Sequence, residues 1–144
     1  MPSPQSDTAL RLLEYFEDPY HRGRCEHATH YGEARNEICG DVVVVELQID
    51  EDRVSDAWFD GEGCLTSQAV ASMLVERVEG RQRLELKKLT LNSMLADLTL
   101  QHISIDQLEC CRVALDALNA ALDTPLDETD AGPTFGGPDL GDEC

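Results

Sequence analysis

The chain has 144 residues, 42% of them hydrophobic, and its 29 acidic and 11 basic residues give a formal net charge of −18. This size and composition fit one globular domain with a modest core. The negative charge would repel phosphate backbones and anionic lipids, so we expect neither nucleic acid nor a membrane as a partner. No apolar run approaches the roughly 20 residues that span a bilayer, and the start lacks a secretory signal pattern, so we expect a cytoplasmic location.

The first half of the chain predicts a helix followed by a two-stranded hairpin. Apolar residues at helical spacing predict a short helix over residues 8–17, which Pro19 should end. The polar stretch 21–37 (HRGRCEHATHYGEARNE) indicates irregular structure. Residues 42–50 (VVVVELQID) and 53–63 (RVSDAWFDGEG) then alternate like strands, and the short acidic turn between them makes the pair antiparallel.

The second half predicts helices. A helical pattern runs from Leu65 to a stop at Gly80, which places Cys64 at a helix N-terminus. Short helices are expected over 84–100, and a longer one over about 108–122 with an apolar stripe. Cys111 lies on that stripe, whereas Cys110 is turned about 100° away and is predicted to face a site from an exposed helix start.

These elements predict an α+β fold, with a small antiparallel sheet of about three strands, helices on one face and the site at one end. The expected domain is 1–122. Residues 123–144 hold seven acidic residues, no basic ones, three prolines and four glycines, which predicts an acidic disordered tail.

Six cysteines in a cytoplasmic protein indicate metal binding or thiol chemistry more than a disulfide framework. No pair has the C-x-x-C spacing, so any shared site must be assembled by the fold. Cys25 with His27 and His30 resembles a metal site only weakly, because the three lie in a polar segment. Cys111 is expected in the core, and Cys144 is interpreted as a tail thiol.

Three cysteines stand where predicted elements meet: Cys39 before the first strand, Cys64 between strand and helix, and Cys110 at the last helix. Three thiolates suit zinc or an iron–sulfur cluster. Asp41 is the natural fourth ligand, since residues i and i+2 of extended backbone point to the same side. A helix N-terminus would stabilise the Cys64 thiolate.

The motifs around these cysteines resemble the NifU N-terminal domain family, which includes the IscU and SufU scaffolds. That family carries a Cys-Gly-Asp before a strand, a hairpin ending in Asp-Ala-x-Phe-x-Gly-x-Gly-Cys, and a late helix of pattern C-x-x-L-A-x-x-A-L. The corresponding segments here are 39–41 (CGD), 56–64 (DAWFDGEGC) and 110–118 (CCRVALDAL). Residues 15–19 (YFEDP) are similar to the family's Tyr-x-Asn-Pro, and the resemblance covers about residues 8–122.

The resemblance implies a SufE/NifU-like fold and a non-enzymatic scaffold for iron–sulfur cluster assembly. A cysteine desulfurase would pass persulfide sulfur to a site thiolate, most plausibly Cys110. Iron held by Cys39, Asp41, Cys64 and Cys110 would combine with that sulfur into a transient [2Fe–2S] cluster for apo iron–sulfur proteins. Asp41, a harder ligand than a thiolate, would keep the cluster labile.

Two departures from the family leave alternatives open. Glu109 replaces the histidine that precedes the third cysteine in IscU and NifU, and 104–108 (SIDQL) replace the Leu-Pro-Pro-Val-Lys chaperone peptide. A zinc-dependent persulfide acceptor of the SufU type, working with a desulfurase, is therefore the alternative function, and a structural zinc domain the second. Glu109 is interpreted as a solvated charge before a spare ligand, and Trp58 as packing on the sheet before a partner contact.

Overall fold

The computed structural model describes residues 4–37 and 40–126, which form three strands and five helices. In chain order these are α1 (Pro4–Glu17), β1 (His30–Asn36), β2 (Asp41–Asp50), β3 (Arg53–Glu62), α2 (Leu65–Val78), α3 (Arg83–Leu86), α4 (Leu91–Asp97) and α5 (Ile105–Asp123). The predicted first helix, hairpin, Cys64 helix and short helices are confirmed. No helix among these residues is long and apolar enough to cross a bilayer.

The sheet has the order β1-β2-β3, and both pairs are antiparallel. Glu51 and Asp52 both have positive φ (51° and 66°), the conformation that tight hairpin turns need. In this register Val42 pairs with Glu62. The start of β2 therefore lies beside the end of β3, and both open onto the same edge of the sheet.

The prediction that residues 21–37 are irregular is wrong for their second half, because β1 occupies His30–Asn36. The segment HYGEARN holds glycine, charged residues and asparagine, which disfavour strands on their own. Hydrogen-bonded pairing with the strongly apolar β2 stabilises the strand that these residues would not form on their own. Gly32 also has a packing reason: a Cβ there would overlap the α5 backbone at Ala117 and Ala121, so the helix crosses β1 at this residue.

Helices α2 and α5 cover one face of the sheet, and α1 packs on α2. The core contains Val43, Val45 and Leu47 of β2 together with Phe59 of β3, all at most 1% exposed. Helix α2 is buried over almost its whole length, because the sheet, α1 and α5 surround it. The predicted α+β class with helices on one face is confirmed.

The last helix is longer than the sequence pattern indicated. It begins at Ile105, because Ser104 and Gln107 form a reciprocal capping box around its first turn, and it ends at Asp123. After it, Leu126 donates its N–H to Thr29 O at 2.8 Å and Pro125 bridges His30. Residues 123–126 of the expected tail thus contact the domain, while 127–144 lie outside the described residues.

Candidate metal and sulfur site

The site lies at the edge of the sheet where β2 begins and β3 ends. Asp41 is the first residue of β2, Cys64 follows β3 and opens α2, and Cys110 reaches the same place from α5. One ligand atom from each residue lies within 4.8 Å of the others. The structure therefore brings together three of the four residues predicted from the sequence, and it places them at one end of the sheet as expected.

Cys64 is the N-cap of α2, and its contacts join it to Asp41. Its Sγ accepts from the Ser67 N–H at 3.4 Å, which is the usual task of an N-cap side chain. Its own N–H donates to Asp41 Oδ1 at 2.8 Å, and its thiol lies 3.5 Å from Asp41 Oδ2. The Asp41 carboxylate thus sits at the positive end of the α2 dipole, where a buried negative charge is most favourable.

Cys110 completes the group, with its Sγ 3.1 Å from Cys64 Sγ. The prediction of an exposed thiol at the helix start is wrong: α5 begins five residues earlier, and Cys110 is only 7% exposed in its second turn. Burial, the hydrogen bond with Cys64 and the nearby Asp41 carboxylate raise the pKa of the Cys110 thiol well above its ordinary value. The helical register separates the two cysteines as expected, because Cys110 faces Cys64 while Cys111 is wholly buried in the core.

The donor set fits a thiophilic divalent cation. Asp41 is fully buried, and among the described residues no arginine, lysine or histidine forms an ion pair with it. Burying a carboxylate beside two thiols without a positive partner is unfavourable, whereas a metal ion would supply that charge and displace the thiol protons. Asp41, Cys64 and Cys110 would hold such an ion, as two sulfur ligands and one oxygen ligand.

The fourth predicted ligand, Cys39, lies outside the described residues. Its predicted position beside Asp41 requires extended backbone through Gly40. Instead Gly40 has a φ of +78° and donates its N–H to Asn36 O at 2.7 Å, so the chain turns immediately before β2. Cys39 as a ligand therefore stays a prediction that rests on the family motif.

Glu109 is a surface charge, as predicted, and the ring of Trp58 packs on the segment before β1. Glu109 is exposed, and its carboxylate lies 3.8 Å from Arg112 Nε, one turn along α5. Its side chain does not belong to the ligand group within the described part of the chain. Trp58 stacks on His21 with ring centroids 4.2 Å apart, and its Nε1–H donates to Asp56 at 3.1 Å.

Cys25, His27 and His30 do not come together as a metal site. Cys25 is buried, and its N–H donates to Glu46 at 2.6 Å. Burial and the adjacent Asp56 carboxylate raise the pKa of its thiol to about 11. His27 is exposed, and His30 Nδ1 lies 2.8 Å from Thr29 Oγ1. The weak resemblance of this segment to a metal site has no counterpart in the fold.

A second group, formed by His21, Asp56 and Glu79, was not predicted from the sequence. Its atoms are already engaged, because His21 Nδ1 lies 3.0 Å from both Ala57 O and Glu79 Oε2. Glu79 also accepts from Tyr20, which raises the pKa of that phenol to about 12. We interpret this group as a hydrogen-bonded brace between β3 and the end of α2.

Gly63 supports the site in a way that the sequence did not indicate. It has a φ of +138°, and a Cβ there would overlap Asp41 Oδ1. A glycine immediately before Cys64 therefore lets β3 pass close enough for the buried carboxylate to accept the Cys64 N–H. Family motifs contain this glycine, but its contact with Asp41 becomes evident only in three dimensions.

Known proteins with similar sequences include one named as a scaffold and one named as a sulfurtransferase. A Thermotoga maritima protein named iron–sulfur cluster assembly scaffold protein IscU is 38% identical over 71 residues, which cover 49% of this chain and 50% of that protein. A Bacillus subtilis protein named zinc-dependent sulfurtransferase SufU is 32% identical over 77 residues, covering 52% of each. The matched segment thus spans about half the length of these relatives.

The fold agrees with solved structures. The N-terminal part of a nitrogen-fixing NifU-like protein from Brucella abortus aligns with a TM-score of 0.63 and 18% identity, covering 83% of this chain and 95% of that one. The family model described as NifU-like N terminal domain matches residues 8–129. This match confirms the resemblance drawn from the cysteine motifs: the chain belongs to the NifU-like N terminal domain family.

Proposed function

We propose that this protein is an iron–sulfur cluster assembly scaffold, which takes sulfur from a cysteine desulfurase, combines it with iron and delivers a labile [2Fe–2S] cluster to apo-proteins. The observation that carries the proposal is the buried group of Asp41, Cys64 and Cys110, whose ligand atoms lie within 4.8 Å of one another. The name of the IscU relative supports it. The same proposal makes the protein a cytoplasmic carrier without catalytic turnover of its own.

The proposed ligands are Cys39, Asp41, Cys64 and Cys110. Cysteine sulfur binds iron tightly, whereas a carboxylate oxygen is a harder and weaker ligand for this kind of cluster. A shell with one carboxylate would therefore retain the cluster less firmly than four thiolates. Weak retention suits a protein whose cluster is cargo.

Cys110 is the proposed sulfur acceptor. Because the Cys110 thiol is buried and its pKa is raised, docking of the desulfurase must first expose it and a base must take its proton. The resulting thiolate would attack the outer sulfur of the desulfurase persulfide, forming a new S–S bond. The S–S bond of the donor breaks in the same step, and the donor cysteine leaves as a thiolate. Cys64, whose sulfur is 3.1 Å from that of Cys110, would stand beside the transferred sulfur.

Anaerobic reconstitution with ferrous iron, cysteine and a desulfurase tests the proposal, followed by visible absorption and iron and sulfide analysis. The wild type should acquire cluster absorption, and Cys64→Ser and Cys110→Ser should lose it. Cys111→Ala is the matched control, because it removes the neighbouring thiol from the core and should leave the cluster intact. Full cluster content in Cys110→Ser would contradict the proposal.

A zinc-dependent persulfide acceptor that stimulates a desulfurase is the second candidate function. The donor set of two sulfurs and one oxygen supports it equally well, since zinc takes the same ligands. The name of the SufU relative points the same way. Under this function the protein would contain zinc, remain colourless after reconstitution and accelerate its desulfurase in a zinc-dependent manner.

A structural zinc domain is a third possibility with its own signature. Removing the metal from such a domain would unfold it, and no desulfurase would respond to it. A metal-free protein that keeps its circular dichroism spectrum and its cooperative unfolding would set this function aside.

A further inference from the structure

Two polar residues lie buried in the first turn of α2, next to the proposed metal site but outside its ligand set. Ser67 is completely buried and Gln68 is only 3% exposed. Buried polar side chains need hydrogen-bond partners to offset the loss of water. Their partners connect them to both sides of the site.

Ser67 is joined to Cys64 by two hydrogen bonds. Its N–H donates to Cys64 Sγ at 3.4 Å, and its hydroxyl donates to Cys64 O at 3.1 Å. A hydroxyl has one proton, so Ser67 Oγ faces Gln68 only as an acceptor. Gln68 Nε2 donates to it at 3.0 Å, which fixes the amide with its nitrogen on this side.

The same amide nitrogen lies 3.5 Å from Val42 O. Val42 follows Asp41 in β2, whereas Ser67 belongs to the helix that Cys64 caps. One side chain therefore links the backbone beside the carboxylate ligand to the helix turn beside the thiolate ligand. Asp41 and Cys64 contact each other directly as well, and Gln68 lies behind that contact.

Gln68 Oε1 is buried without a hydrogen-bond partner among the described residues. An unsatisfied buried acceptor lowers stability and offsets part of what the two hydrogen bonds of Nε2 contribute, so an apolar side chain of the same length should change stability little. A purely structural role therefore does not explain a glutamine here. What methionine or leucine lacks is the donor that joins Ser67 to Val42.

We propose that Gln68 is a positioning residue, which sets the separation of the Asp41 carboxylate and the Cys64 sulfur through Ser67 and Val42 and thereby tunes metal affinity. The inference rests on the proposed metal centre. Groups that orient metal ligands typically change affinity by about 10- to 100-fold when they are removed. Gln68→Met should thus weaken metal binding without weakening the fold.

Zinc competition titrations against a chromophoric chelator, under reducing anaerobic conditions, test this proposal on the full chain. Gln68→Met should bind zinc at least about 10-fold more weakly than the wild type. The thermal midpoint of its metal-free form should stay close to that of the wild type. Cobalt loaded in place of zinc should show shifted d–d absorption bands, because the ligand arrangement has changed.

Ser72→Ala is the matched control. Ser72 is a fully buried polar residue one turn further along α2, and its hydroxyl accepts from the Tyr20 N–H at 2.6 Å, away from the site. Its removal should lower the thermal midpoint and leave zinc affinity unchanged. Ser67→Ala is the second test variant, and it should weaken zinc binding in the same direction as Gln68→Met.

Wild-type zinc affinity in both Gln68→Met and Ser67→Ala, with unchanged cobalt spectra, would overturn the positioning role while leaving the metal site standing. If Gln68→Met fails to fold, wild-type affinity in Ser67→Ala alone overturns it. If the wild type itself binds no zinc or cobalt, the metal centre fails and the positioning role fails with it.

Discussion

Gly63 shows how one small residue determines the geometry of the candidate site. Its positive φ and its contact with Asp41 both require glycine, and they have separate costs. The left-handed backbone penalises any side chain by about 1–2 kcal/mol. A side chain at this position would also displace the Asp41 carboxylate, which accepts the Cys64 N–H.

Gly63→Ala should therefore lower zinc affinity by about 10-fold or more as well as lowering stability. Gly80→Ala is the matched control, because Gly80 also has a positive φ (+89°) but nothing lies within 4 Å of its would-be Cβ. Both variants should lose stability in urea unfolding, Gly63→Ala the more because of its contact with Asp41, whereas only Gly63→Ala should lose zinc affinity in a competition titration. Equal zinc affinity in the two variants would contradict this account.

At the scale of elements, the contact between α5 and β1 positions Cys110. The helix backbone at Ala117 and Ala121 lies directly against Gly32, so the strand and the helix touch without an intervening side chain. The same helix carries Cys110 to the sheet edge. The distance between α5 and β1 thus contributes to the distance between Cys110 and Cys64.

Gly32→Ala should destabilise the protein by about 1–3 kcal/mol, because the added methyl meets backbone and cannot be accommodated by a side-chain rotation. Chemical unfolding in urea measures this loss. Glu33→Ala, the next residue in β1, should lose less stability, since it removes a partly exposed ion pair with Arg35 and a hydrogen bond from the Tyr31 hydroxyl but adds no contact with backbone. A loss in Gly32→Ala no larger than that control would show that α5 can shift freely.

The contact between α5 and β1 also explains why β2 could be predicted from the sequence and β1 could not. The run of valines in β2 is buried on both faces and identifies itself as a strand. The segment HYGEARN is not recognisable as a strand, because its glycine is required by the contact with α5 and its extended backbone by pairing with β2. Tertiary contacts decide the structure of β1, and a local pattern cannot contain them.

For the molecule as a whole, the excess of acidic residues acts against the folded state. A net charge of −18 on 144 residues makes like charges approach one another on folding. Salt shortens the range of this repulsion, to about 10 Å at 0.1 M ionic strength. The thermal midpoint of the metal-free protein should therefore rise between about 0.02 and 0.3 M salt.

Differential scanning calorimetry in sodium chloride and in potassium chloride measures this rise, and agreement between the two salts separates screening from binding of a particular ion. A midpoint that falls with salt would mean that attractive ion pairs outweigh the repulsion.

Part of the candidate site could be predicted from the sequence and part could not, as for the fold. The convergence of Asp41, Cys64 and Cys110 was predictable because Asp41 and Cys64 stand at element boundaries and the helical register turns Cys110 about 100° away from the buried Cys111. The burial of Cys110 was not, because it depends on where the Ser104 capping box starts α5. The supporting roles of Gly63 and Gln68 were not predictable either, since they depend on contacts between β2 and α2 that no spacing in the sequence encodes.

If Asp41, Cys64 and Cys110 bind one metal ion, X-ray absorption spectroscopy at the zinc edge will detect their sulfur and oxygen atoms around it. Zinc-loaded wild type should show a shell of sulfur neighbours with an oxygen neighbour, and Cys110→Ser should have one sulfur fewer. A shell of nitrogen and oxygen alone, or the same sulfur number in both proteins, would contradict the account.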